Sequence, residues 1–131
     1  MVEEELKKRT KQFGLRVMKL VAAMHGDKVA NEIGRQLLRS GTSVGANYRS
    51  ACRARSRADF AYKVGIAEEE ADESAFWLEL LVEGQLMAQA RLGPLLEEAN
   101  ELTAILGASA KTARRNRKSK IGNRKYDVWE R

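Results

Sequence analysis

The run GRQLLRSGTSVGANYRSACRARSRADFAYK, residues 34–63, followed by IAEEEADESAFWLELL, residues 66–81, decides how the chain folds. Wound at 3.6 residues per turn, the first part places Ala30, Ile33, Leu37, Gly41, Val44, Tyr48 and Ala51 along one stripe. That stripe is a core face. Arg35, Arg39, Arg49 and Arg53 fall together on the opposite side of the same helix. Such a ribbon reads either as a binding surface or as a solvated charged face, and residue type alone leaves both open.

Working outward, a first helix is expected from Glu3 to His25, with Leu6, Phe13, Val17, Leu20, Val21 and Met24 at helical spacing. Glu3 to Glu5 suit the positive end of its dipole, and Gly26 is expected to end it. Asp27 is the expected N-cap of a second helix reaching Arg53. Gly34, Gly41 and Gly45 inside that helix each cost roughly 1 kcal/mol relative to Ala, so they call for close approach of a neighbour. A third helix opens at Ser56, where Ser56 and Asp59 have the spacing of a capping box. Its primary stripe is Phe60, Val64, Ala67, Ala71 and Leu78. On its flank Ile66, Trp77 and Leu80 accompany Glu70 and Glu73, two carboxylates beside large apolar side chains. These need partners, and Arg39 and Asn47 are the nearest candidates; removing one member of a buried pair would cost about 3 to 5 kcal/mol. A break is expected at Leu92 and Gly93, with Pro94 in the first turn of a fourth helix whose face is Leu95, Ala99, Leu102, Leu106 and Ala110. The predicted fold is all-α, an antiparallel up-down-up-down four-helix bundle over residues 1–113 with a basic, flexible tail over 114–131.

The 131 residues include one Pro, one Cys and one His, which favours a single helical domain without disulfide or ordinary zinc site. The net charge of +6 is unevenly spread: residues 111–131 carry nine Lys and Arg against two Asp and Glu. Lys111, Arg114, Arg115, Arg117, Lys118, Lys120, Arg124 and Lys125 belong to this segment, with Tyr126 and Trp129 as possible stacking groups. Six arginines lie between Arg35 and Arg57, while Glu68, Glu69, Glu70, Asp72, Glu73, Glu79 and Glu83 crowd the next segment. Neighbouring segments of opposite sign can pair within one chain or between subunits. MVEEELKKRT offers no basic-then-apolar leader, and no run of eighteen apolar residues occurs. A cytoplasmic protein with no membrane partner is expected.

The blocks QLLRSGTSVGANYRSA, SRADFAYKVGIAEEEADESAFWLELL and LLEEANELTAILGASAKTAR resemble those of the 23S rRNA intervening-sequence proteins, over roughly residues 5–115. Arg39, Ser40, Thr42, Ser43, Gly45, Ala46 and Asn47 fall on the first block. Tyr48 and Arg49 depart from it, where Ala or Ala-Glu is usual, and make this copy more basic. The resemblance implies a bundle that assembles as a homopentamer, with no settled biochemical role. A relative of that family, the accessory protein of diversity-generating retroelements, is a basic pentamer that binds nucleic acid and its reverse transcriptase.

Three function classes follow. The leading expectation is a homo-oligomer whose arginines and tail contact RNA or DNA phosphates without reading base edges. The second is a scaffold docking a partner such as a reverse transcriptase. Enzyme is the weakest: a di-metal bundle needs Glu-x-x-His pairs, which are lacking, as are a phosphate-cradling Gly loop and a nucleophile triad. No catalytic residue, metal ligand or cofactor is therefore expected. The small and polar residues around Arg39, Asn47, Glu70, Glu73 and Trp77 read as structural or subunit-interface groups.

Overall fold

The computed structural model describes residues 1–119, which form four helices: α1 Glu3–Ala22, α2 Lys28–Cys52, α3 Arg57–Glu83 and α4 Gln89–Ser119. Short connections return each helix beside its predecessor, giving the expected antiparallel bundle. The α2–α3 and α3–α4 contacts are extensive, whereas α1 leans on α2 and meets α4 only sparsely. Among the described residues there is no strand, and no helix is long and apolar enough to cross a membrane. The tail residues Lys120, Arg124 and Lys125 lie outside the described residues, as do Tyr126 and Trp129.

Two helix starts are set by the residues the sequence points to. The Asp27 carboxylate accepts the Ala30 N–H at 2.9 Å, and the Ser56 hydroxyl oxygen accepts the Asp59 N–H at 3.0 Å. Two boundaries differ from expectation. α1 stops at Ala22, three residues before His25, and its C-cap Ala23 is right-handed, so Gly26 is not a left-handed cap. Gly26 instead gives room for the turn: a Cβ there would lie 2.5 Å from that of Ala30.

The second difference is larger. α3 closes at Gly84 with Gln85 in the left-handed region at φ 61. Leu86 N–H bonds the Leu81 carbonyl at 2.9 Å and Gln85 N–H the Val82 carbonyl at 3.0 Å, the paired pattern of a Schellman cap. The break therefore falls at residues 84–88, and Leu92, expected in a break, is fully buried in α4. Burying Leu92 and Leu95 on the stripe of Ala99, Leu102, Leu106 and Ala110 outweighs the hydrogen bond that Pro94 cannot donate inside the helix. The residue before a proline is crowded in helical conformation through its Cβ, and here it is Gly93.

Phe13, Val17, Leu37, Val44, Leu78, Leu102 and Leu106 are fully buried at the centre. One polar contact crosses between α2 and α3 inside this core, a hydrogen bond of 2.8 Å between the Ser40 and Ser74 hydroxyls. Ser74 gives its proton to the Glu70 carbonyl at 2.9 Å, so Ser40 is the donor to the Ser74 oxygen and both hydroxyls are satisfied.

The glycines of α2 do meet α1 closely. A Cβ on Gly41 would sit 2.8 Å from a Val17 methyl, and one on Gly45 would be 3.3 Å from the Thr10 carbonyl oxygen. Gly14 of α1 answers from the other side, its Cβ position 3.6 Å from the Gly41 carbonyl. Helix propensity alone would gain about 1 kcal/mol from Gly41→Ala, but overpacking a fitted contact costs about 1 to 3 kcal/mol. We expect Gly41→Ala to lower stability by up to about 2 kcal/mol in urea unfolding; an increase would show that α1 and α2 can separate freely.

Cys52 is buried beside Tyr48, and desolvation pushes its thiol up to about 11. Its raised value favours the neutral folded form, a contribution complete below the unfolded value of about 8.5 and lost as pH climbs towards 11. Thiol-specific labelling at pH 8 is thus expected to be slow in the native protein and to accelerate with urea; immediate native labelling would contradict this burial.

Candidate nucleic-acid interface

The α2 arginines divide into two pairs. Arg35 Nη2 contacts Glu32 Oε1 at 2.9 Å, and Glu32 also accepts from Gln36 at 3.1 Å. The Gln36 hydrogen bond first, and Arg35 next, hold the Glu32 carboxyl below its usual range. Arg39 reaches across to α3, where its Nη2 donates to Glu73 Oε2 at 2.5 Å and its Nη1 lies 3.4 Å from Glu70 Oε1. The bond to Glu73, then the charge of Glu70, raise the Arg39 guanidinium further above its ordinary value. Trp77 Nε1 donates to the same Glu73 oxygen at 3.2 Å, which fixes the carboxylate between ring and guanidinium.

The expected partnership of Arg39 with Glu70 and Glu73 is therefore present, but Asn47 does not join it. Its side-chain amide donates to the Ser43 carbonyl at 2.8 Å within α2. The pair is also less buried than its apolar neighbours suggest. Arg39 is 51% exposed and Glu73 37%, so solvent screens most of the attraction.

Arg49 and Arg53 behave differently. Both line a groove of about 530 Å³ between α1 and α2, facing Lys7, Lys8 and Lys11. Only Glu4, 3.2 Å from Lys7, brings a carboxylate to this lining. The groove continues over Leu15 and Met18 of α1, which are about half exposed, and over Thr42 and Ala46 of α2. The three lysines were not singled out by sequence: they follow Glu3–Glu5 closely, and summed charge hides that KKRTK puts Lys7, Lys8 and Lys11 along one side. Arg9, between them, points elsewhere, donating to Glu98 at 2.7 and 2.8 Å and to Glu101. This fork ties α1 to α4 where the two helices otherwise hardly touch.

The topology adds further cations. α2 and α4 run in the same direction, so Arg53 and the exposed Arg55 of the following turn share one end of the bundle with Lys111, Arg114 and Arg115. Those last three are exposed on α4. Arg117 and Lys118 continue that helix, with only their backbone described. Arg35 lies near the other end, about 27 Å from Arg53 along α2 at 1.5 Å per residue. The expected ribbon of four arginines is thus neutralised within the chain at Arg35 and Arg39, while Arg49 lines the α1–α2 groove and Arg53 reaches the basic end.

No group of three or more metal-ligating side chains clusters among the described residues. The profile of the 23S rRNA-intervening sequence protein family matches residues 3–108. The chain is also similar to a crystal structure of a protein with unknown function from the S23 ribosomal protein family of Bacteroides thetaiotaomicron. The two share 34% identity at a TM-score of 0.75, covering 81% of this chain and 98% of that one. No curated protein matches the chain.

Exposure sets the expected strength of the Arg39–Glu73 pair. A double-mutant cycle between Arg39→Ala and Glu73→Ala should give a coupling of about 0.5 to 1 kcal/mol, below the 3 to 5 kcal/mol of a buried pair. A coupling above about 3 kcal/mol would mean that the site is desolvated in solution, and none at all would mean that the contact is not made.

Proposed function

The chain belongs to the 23S rRNA-intervening sequence protein family, and from that premise we propose that it is a non-enzymatic homo-oligomer that binds the phosphate backbone of RNA or DNA. The observation that carries this reading is the separation of cations held by carboxylates from cations that meet none among the described residues. Arg9, Arg35 and Arg39 are held by carboxylates of the same chain, whereas Arg53, Arg55, Lys111, Arg114 and Arg115 collect at one end, where the tail also begins. Residues 111–131 add nine cations against two carboxylates. Exposed Arg and Lys side chains at a helix end suit phosphates, whose charge they can meet without reading base edges.

The pentamer implied by the family resemblance makes this arrangement effective. Five basic ends on one particle would engage one polymer together, so weak individual contacts gain avidity when they reach the same strand. A second reading, a scaffold that docks another protein such as a reverse transcriptase, is favoured by the exposed aromatic rings Tyr62 and Phe76 on α3. It predicts binding through apolar area, with weak dependence on salt.

The deciding experiment compares the full chain with a truncation after Ala113, measuring affinity for single-stranded RNA and duplex DNA at several salt concentrations. We expect log K to fall linearly with log salt, with a slope of about −0.7 per phosphate contacted on single strands and −0.9 on duplex. Truncation should reduce the slope and lower affinity at least about tenfold, with little preference among sequences of equal length. Affinity without salt dependence in the full chain would overturn the phosphate reading. Unchanged affinity in the truncation would move the contact to Arg53, Arg55 and Lys111, which the truncated chain retains.

A further inference from the structure

Two surfaces on opposite sides of the bundle carry large apolar groups that no part of the described chain covers. One is the α1–α2 groove, with Leu15 47% and Met18 48% exposed beside Lys8, Lys11 and Arg49. The other is the outer face of α3, where Tyr62 is 68% and Phe76 50% exposed, with Glu69 and Asp72 between them. The first surface is basic and the second acidic. Phe76 is held edge-on against Trp77, ring centroids 5.1 Å apart, so the apolar end of the second surface is a fixed ridge.

Spacing relates the two surfaces more closely than charge alone. Along α1 the order is Lys8, Lys11, Leu15, with steps of three and four residues; along α3 it is Glu69, Asp72, Phe76, with the same steps. Laid side by side in parallel, the two stripes bring two carboxylates onto two ammonium groups and a phenyl ring onto a leucine within about 10 Å of helix. Four residues before Lys8 stands Glu4, the one carboxylate of the groove, and four residues before Glu69 stands Gly65. Gly65 has nothing within 4 Å of its Cβ position, so no contact inside the protomer explains a glycine in the middle of α3. Its cost of about 1 kcal/mol relative to Ala finds a reason where Glu4 of another helix must pass. On the groove side, Thr42, Gly45 and Ala46 keep the α2 wall low enough for a helix to approach.

We propose that the outer face of α3 in one copy seats in the α1–α2 groove of a second copy, in this register. The occupant is a second copy of the chain because the surfaces complement each other in charge, apolar position and spacing. The inference rests on the homo-oligomer reading and names its interface. Since α1 and α3 point the same way in the bundle, the parallel register is what a rotation about an axis along the helices produces. The contact joins unlike surfaces, so each copy keeps one free face until a ring closes. It engages Lys8, Lys11 and Arg49, brings Arg53 to the edge of the contact, and leaves Arg55, Lys111, Arg114 and Arg115 open to a polyanion.

The test is charge reversal on each side and then on both, read by sedimentation equilibrium at low micromolar to tens of micromolar protein, with helical content followed by circular dichroism. Lys8→Glu with Lys11→Glu, and separately Glu69→Lys with Asp72→Lys, place like charges opposite one another and should each weaken assembly at least about a hundredfold. Combining all four restores opposite charges with inverted polarity and should recover assembly. Recovery also excludes misfolding as the cause of loss in either pair, since the combined chain contains every substitution. An oligomeric parent that neither reversed pair weakens would overturn this interface while leaving the oligomer reading in place. Loss in both pairs without recovery in the combination would overturn the register, and a parent that stays monomeric at tens of micromolar would overturn both the interface and the oligomer.

Discussion

The close approach of α1 to α2 over Gly14, Gly41 and Gly45 is the constraint on which the surface of this protein depends. Without side chains at these positions the two helices meet almost backbone to backbone, and their outward faces merge into one. Lys8, Lys11, Leu15 and Met18 then stand directly beside Thr42, Ala46 and Arg49. Helices held apart by ordinary core residues would leave two separate stripes, interaxial distances being set by the side chains at the contact. The same contact lets α1 rely on α2 for its packing, so that the Arg9 fork to Glu98 and Glu101 suffices on the α4 side.

Electrostatics divides the molecule along its length. In the half containing Arg35 and Arg39, cations are matched to Glu32, Glu70 and Glu73 within hydrogen-bonding or ion-pair distance. These matched groups add little net field and serve orientation, as the shared Glu73 oxygen between Arg39 and Trp77 illustrates. At the other end the arginines of α2 and its following turn meet those of α4, alongside the carboxylates Glu3, Glu4, Glu5 and Asp59 of the first turns of α1 and α3. Crowding of the arginines works against folding in isolation, and it is tolerated because these side chains are exposed and solvated. On the proposed reading these exposed cations would draw a polyanion from within the screening length of about 8 to 10 Å at moderate salt.

The outer face of α3 shows why burial inside one protomer is an incomplete account of a sequence. Its inner side is well packed, with Val64, Ala67, Ala71 and Leu78 fully buried. Its outer side carries Tyr62 and Phe76 exposed and Gly65 with nothing within 4 Å of its Cβ position among the described residues. Single exposed apolar residues are ordinary on soluble proteins. Two rings and a glycine on one side of one helix, facing a charge pattern that another surface of the same chain mirrors, are a composite that a lone bundle does not require.

The sequence by itself determined the four helices, their up-down order, the Asp27 and Ser56 caps, most of the core stripe and the partnership of Arg39 with Glu73. These are local or near-local features, set by helical periodicity, by side chains that compete for backbone groups, and by a charge opposite the nearest available counter-charge. Tertiary structure decided what depends on comparing distant segments. Leu92, expected in a break, is shown as core only by the packed bundle, so that α4 begins earlier and Pro94 lies beyond its first turn. Arg35 and Arg49 look equivalent on one helix face, but a carboxylate of α2 itself answers the first, and only a neighbouring helix decides the surroundings of the second. Glu32 neutralises the first, while α1 adds lysines beside the second. Periodicity assigns a residue to a face, but the field and the packing at that face belong to whatever the fold places across from it.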